Sequence, residues 1–166
     1  MVTFDIPAAH VKTRFALHRY LRSHGFGCLQ KSVWITPHPL KEEQKEVAGF
    51  PVKAKSLVFW QSTLCGGERN EQIVGAAWNF GRINELYADY LDVLGRRPRQ
   101  TLSDQSAAKT FQAWCAEERQ SWLAAMGADP LLPKALLPSD YQGCDAWAER
   151  KKIMKQAGTQ MRAFTR

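Results

Sequence analysis

Apolar and polar residues alternate over Val2–Ile6, the period of a β-strand, and Pro7 closes the run. The period then lengthens. Across Ala8–His24, Val11, Phe15, Leu17 and Leu21 supply an apolar side to a helix, and Gly25 ends it. The stretch "FGCLQKSVWITP" returns to alternation with β-branched and aromatic residues, as one bent strand or as two that meet at Lys31–Ser32. "HPLKEEQKEVAGF" predicts a short polar helix with Gly49 as its stop. "AKSLVFWQST" is a further apolar strand, closed by the turn signal Gly66–Gly67.

From Asn70 onward no strand pattern survives. Glu71–Gly95 predicts a helix broken at Gly81. Ser103–Met126 predicts a second, with Phe111, Cys115, Trp122 and Met126 on one face. Gly143–Phe164 predicts a third, with Trp147, Met154, Met161 and Phe164 on one face. Between the last two helices, "GADPLLPKALLPSDYQG" is too apolar for a free linker and reads as a packed irregular segment. Strands first and helices later predict an α+β protein. A β-α-β-β-α-β order in the first part predicts a ferredoxin-like domain followed by an all-helical C-terminal region. The charge, proline and helix-start signal of "RRPRQTLSD" place the boundary there, giving domains 1–98 and 99–166.

Charge adds a direction to this picture. Residues 1–64 hold nine Lys/Arg against four Asp/Glu, whereas residues 65–166 hold fourteen against twelve, so the basic excess sits in the first half. A polyanion would be drawn there, and a solvated basic surface is the plainer alternative. No apolar run reaches the roughly 18 residues of a membrane span, and the charged first 25 residues do not read as a secretory signal. Cys28, Cys65, Cys115 and Cys144 are scattered with no CxxC pair, which fits reduced thiols of a cytoplasmic protein.

Candidate chemistry is sparse. Asp5 stands at the end of the first strand. Two such carboxylates across a twofold axis could hold one Mg²⁺, while a single one would cap the helix that starts near Pro7 or form the turn into it. Lys12, Arg19 and Arg22 share one face of the first helix and are the candidates for phosphate contact, or form a solvated face. There is no GxSxG, no phosphate-cradling glycine loop and no GxGxxG, so an enzyme has little support beyond Asp5. The six tryptophans read mainly as core, and some could line an effector pocket between helices.

Two stretches are less generic. "TFDIP", followed by an arginine-bearing helix and then "GFGCLQKSVWITPH", resembles the central domain of the PaaX family, bacterial repressors of phenylacetic acid catabolism. "ADPLLPKALLPSDYQGCDA" resembles that family's C-terminal region, and "GAAWNFGRINELYADYL" between them also fits. The resemblance spans nearly the whole chain. It implies a ferredoxin-like domain similar to the small CRISPR-associated dimeric nuclease fold, then a helical region. It further implies a homodimer, no cofactor, and release from operator DNA by an acyl-CoA effector such as phenylacetyl-CoA.

In the CRISPR-associated proteins the residue matching Asp5 serves the metal; in the PaaX-like proteins the fold is expected to serve assembly. Operator contact is expected through an N-terminal winged helix-turn-helix that precedes the region matched here. The helix holding "WCAEERQSW" also departs from the family's basic stretch, with Glu117 and Glu118 beside a single Arg119. Arg96, Arg97, Trp114 and Arg119 are the candidates for effector binding. The expected function is the dimerising, effector-sensing core of a regulator. A metal-dependent nuclease and a ligand-free interaction module are the alternatives.

Overall fold

The computed structural model describes residues 1–39, 57–63, 65–67 and 69–164. The chain divides into two compact units, Met1–Asn79 with Pro130–Pro138, and Phe80–Asp129 with Ser139–Arg166. The helix Phe80–Gly95, counted with the first domain in the sequence reading, lies in the second unit.

The first unit contains β1 (Val2–Phe4), a 3-10 turn at Ala8–His10, α1 (Val11–Ser23), β2 (Gly27–Gln30), β3 (Val33–Ile35), β4 (Leu57–Phe59) and α2 (Asn70–Ala77). The strands form one antiparallel sheet in the order β2-β3-β1-β4. Of the two readings of "FGCLQKSVWITP", the pair of strands meeting at Lys31–Ser32 is the one realised. Val2 pairs with Trp34 on one side and Phe59 on the other. Strand alternation sends Val2, Phe4 and Trp34 to one face, where they meet Leu17, Leu21, Ile6 and Phe26 in the core. Each such burial contributes about 1.5–3 kcal/mol. The predicted polar helix at 38–50 falls almost wholly outside the described residues.

Gly25 ends α1 through a left-handed backbone, φ +76°. Its N–H donates to Arg22 O and that of Phe26 to Leu21 O, the paired bonds of a Schellman cap, and the Phe26 and Leu21 side chains share the core. The apolar side read from the sequence needs correction. Leu17 and Leu21 are buried, but Val11 is 50% and Phe15 70% exposed. Residues two apart on a helix do not share a face, so Phe15 cannot follow Leu17 inward.

The second unit contains α3 (Phe80–Gly95), α4 (Gln105–Ala128) and α5 (Gly143–Phe164). Its break from α2 lies at Trp78–Asn79 rather than Gly81: Trp78 takes extended backbone, φ −126° and ψ 140°, and Gly81 sits inside α3. Asp104 caps α4, its Oδ1 accepting the Ala107 N–H at 2.8 Å. The buried stripe of α4 is Ala107, Phe111, Trp114, Glu118, Trp122 and Ala125, spaced by three or four, not the predicted set with Cys115 and Met126. On α5 the correction is larger. Ala146 and Ala157 are buried, while Trp147 and Met161 are about half exposed. Small side chains let α5 approach its neighbours, and the large ones are left at the rim. Phe164 falls outside the described side chains.

Residues Pro130–Pro138 pack in the first unit around a 3-10 turn at Lys134–Leu136, with Leu132 buried, so this stretch is packed and irregular as its composition predicts. No helix among the described residues is long and apolar enough to cross a membrane.

Candidate functional site

The polar chemistry of the second unit gathers around two buried carboxylates. Glu118 is 2% exposed. Its Oε1 accepts the Tyr90 hydroxyl and the Arg150 Nε, each at 2.9 Å, tying α3, α4 and α5 to one oxygen. The Arg150 guanidinium also lies 4.7 Å from the Trp122 ring, and Trp122 stacks on Trp147 with centroids 5.1 Å apart. Burial, then the bond to Glu118, pushes the Tyr90 phenol well above its ordinary pKa. Burial, with Glu118 adding, also raises the Cys115 thiol above its ordinary pKa.

The second carboxylate is Asp129, just past the end of α4. Tyr87 donates to its Oδ2 at 2.5 Å and Tyr141 donates to the same oxygen. Burial followed by these bonds raises both phenols far above the usual tyrosine range. Asn84 fixes the adjoining loop, giving its amide to the Asp140 carbonyl at 3.1 Å and accepting the Gln142 N–H at 3.0 Å. The two carboxylates join the three helices and the loop before α5 through charge-assisted bonds.

The predicted effector residues stand as follows. Arg96 pairs with Glu117 at 2.9 Å on the surface. Arg97 donates to Gln160 at 2.8 Å and Gln156 at 3.1 Å, two neutral partners. Trp114 is buried and its indole N–H is taken by Val93 O at 2.9 Å. These three therefore gather about the end of α3. Arg119 is exposed on α4 and is not drawn into that group.

In the first unit Lys12, Arg19 and Arg22 are all exposed on α1. Arg22 lies with its Cζ 5.6 Å from the Trp34 ring centroid. Asp5 is exposed beyond β1. It does not cap the helix: neither the 3-10 turn nor α1 has a side-chain cap bond, because the turn at Ala8–His10 separates Asp5 from the first α-helical amides. No group of three His, Cys, Asp or Glu among the described residues could hold a metal ion.

Glu118 and Asp129 were missed by sequence reasoning. For Glu118 a signal was present, since 111, 114, 118, 122 and 125 form a three-four stripe that puts an acid on the buried face. Asp129 carries no such signal, because its partners stand 42 residues before it and 12 residues after it.

With this geometry in place, the comparisons are specific. Residues 1–74 match the PaaX protein central Cas2-like domain, and residues 78–166 match the PaaX-like protein C-terminal domain. The chain belongs to the PaaX family. The seam between the two matches, residues 75–77, lies two residues before the point where the compact units divide. No curated protein matches the chain. Among solved structures, the uncharacterized protein Rv0674 from Mycobacterium tuberculosis is similar, at 20% identity and a TM-score of 0.57. The match covers 99% of this chain and 62% of that one, and at this identity it speaks to the fold alone.

Proposed function

We propose that the chain is the dimerising, effector-responsive core of a bacterial PaaX-like transcriptional repressor. The observation that carries this reading is the succession of the two PaaX domains, in order, across residues 1–166. The sheet order β2-β3-β1-β4, antiparallel throughout, supports the finer assignment of the first unit as ferredoxin-like, a fold suited to pairing between protomers. In the second unit, buried ionic contacts among three helices supply the kind of packed, discretely arranged element that a ligand can bias. An acyl-CoA, phenylacetyl-CoA among them, is the effector class. Its phosphates call for cations, and Arg96, Arg97 and Arg119 are the candidates beside Trp114. Base-edge reading of the operator belongs to a winged helix-turn-helix of the family, outside residues 1–166.

The test is a thermal-shift and calorimetric screen of the chain against acyl-CoA thioesters, joined to light scattering. Saturable stabilisation by an aromatic acyl-CoA, together with a dimer mass, is the expected result. A monomer that no thioester stabilises would overturn the reading.

A further inference from the structure

Among the described residues of the first unit, two polar side-chain atoms are buried without a hydrogen-bond partner, His18 Nε2 and Trp34 Nε1. They belong to adjoining rings, with centroids 5.0 Å apart and planes inclined by 46°. Phe4 lies on His18 as well, at 5.8 Å. Trp34 is 0% exposed, so its indole N–H, which can only donate, has no water to meet at the surface. Native interiors leave few such groups, and two on neighbouring rings mark a polar spot inside an apolar cluster.

Among the described residues, the charge around this spot has one sign. Arg14 and Arg22 stand one turn to either side of His18 on α1. Arg22 covers the Trp34 ring, and Arg14 donates to the Ile6 carbonyl at 2.5 Å. Neither guanidinium has an acidic partner among the described residues. The strands beside His18 present Phe4 and Trp34, which carry no charge. Residues 1–39 hold five Lys/Arg and one acid, Asp5.

We propose that Arg14, His18, Arg22 and Trp34 form a binding site for a single oxyanion of the phosphate class. The set offers an indole N–H, an imidazole N–H in the Nε2-protonated tautomer, and two guanidiniums. That matches several acceptor oxygens and two negative charges better than it matches a carboxylate. A bridging water would satisfy the two ring nitrogens but would leave both charges without a counterpart among the described residues. Arg22 is the exposed member of the set, its Cζ 5.6 Å from the Trp34 ring centroid, and is the group that would clamp a ligand at the ring nitrogens. The site lies in the first unit and is independent of the effector assignment above. Free phosphate, a phosphate monoester and a phosphodiester share this chemistry.

The experiment is a titration of the ¹⁵N-labelled full chain with inorganic phosphate at constant ionic strength, read on the indole N–H resonances. The Trp34 resonance is expected to move and saturate. Arg22→Gln should weaken the apparent affinity about tenfold, the worth of one charge-assisted bond. Lys152→Gln, an exposed residue of α5 paired with Glu149, should leave it unchanged. Thymidine monophosphate and the dinucleoside phosphodiester then separate the sources, since a saturating response to either supports the site and names its ligand. A response that fails to saturate, that acetate reproduces, or that Arg22→Gln leaves intact overturns the proposal. So does a long-lived water beside Trp34 with no response to phosphate.

Discussion

The Trp78 indole occupies the space that a side chain on Gly27 would need. A Cβ placed on Gly27 would stand 2.6 and 2.7 Å from two carbons of the ring and 2.8 Å from the Ala77 Cβ. The same indole donates its N–H to Gly25 O at 3.3 Å, so the ring is held at both its face and its edge. Glycine at position 27 is therefore a packing requirement of β2 against the end of α2, with no unusual backbone angle involved.

It follows that Gly27→Ala destabilises the protein, although alanine is a modest change in an ordinary strand. Overpacking of this kind costs about 1–3 kcal/mol. Denaturant unfolding should show the loss as a lower midpoint at unchanged slope, and Gly75→Ala, with open space around it, should not.

Glu118 and Arg150 give a second expectation. Glu118→Gln leaves the Arg150 guanidinium, with 26% side-chain exposure, facing a neutral amide inside the second unit. Removing one partner of a buried pair costs about 3–5 kcal/mol, and the partial exposure of Arg150 places this case at or below about 3 kcal/mol. Pairing the change with Arg150→Met should recover part of the loss in the same unfolding assay, because no charge is then left without its partner.

Tyr87, Tyr90 and Tyr141 all have phenol pKa values raised by burial and by bonds to Asp129 or Glu118. A group whose folded pKa exceeds its unfolded one adds stability that is complete below the unfolded value, 10.0 for these phenols, and is lost as the pH climbs above it. Absorbance at alkaline pH should show these three phenols still protonated at about pH 11 in the native protein and ionising when it is denatured. Native-state ionisation near the ordinary tyrosine value would contradict the buried network.

His18 sets the acid side. Burial, with Arg22 and Arg14 adding, holds its pKa below 6.5. The unfolded chain then binds the proton more readily, so this contribution is complete above pH 6.5 and is lost as the pH falls through the unfolded pKa toward the folded one. The melting temperature should drop between about pH 7 and 5 by more in the wild type than in His18→Phe, which keeps the ring contacts with Phe4 and Trp34. Equal slopes for the two proteins would contradict it.

Much of the fold was legible along the chain. Period-two alternation marked β1, β2, β3 and β4, and Gly25 marked the end of α1 with the cap it forms. The helices after residue 70 were legible to within a few residues, because long amphipathic periodicity, Asp104 and the glycines are local signals. The PaaX resemblance rested on two motifs, and the match across residues 1–166 accords with it. The facing of each helix was less legible. Seven-residue spacing on α5 pointed to Trp147, Met154 and Met161, yet the buried positions are Gly143, Ala146 and Ala157. A periodicity says that a helix has sides, and its neighbours choose which side is covered.

The sequence by itself determined where the strands and helices lie, the basic excess of the first half, and the family. Those properties depend on residues within a few positions of one another, or on composition. The tertiary structure alone decided that Tyr87 and Tyr141 share one oxygen of Asp129, that Glu118 is buried against Arg150, and that the ring nitrogens His18 Nε2 and Trp34 Nε1 are buried without a partner among the described residues. Each of these depends on groups brought together across turns of helix or tens of residues by packing. No local pattern encodes the distance between them.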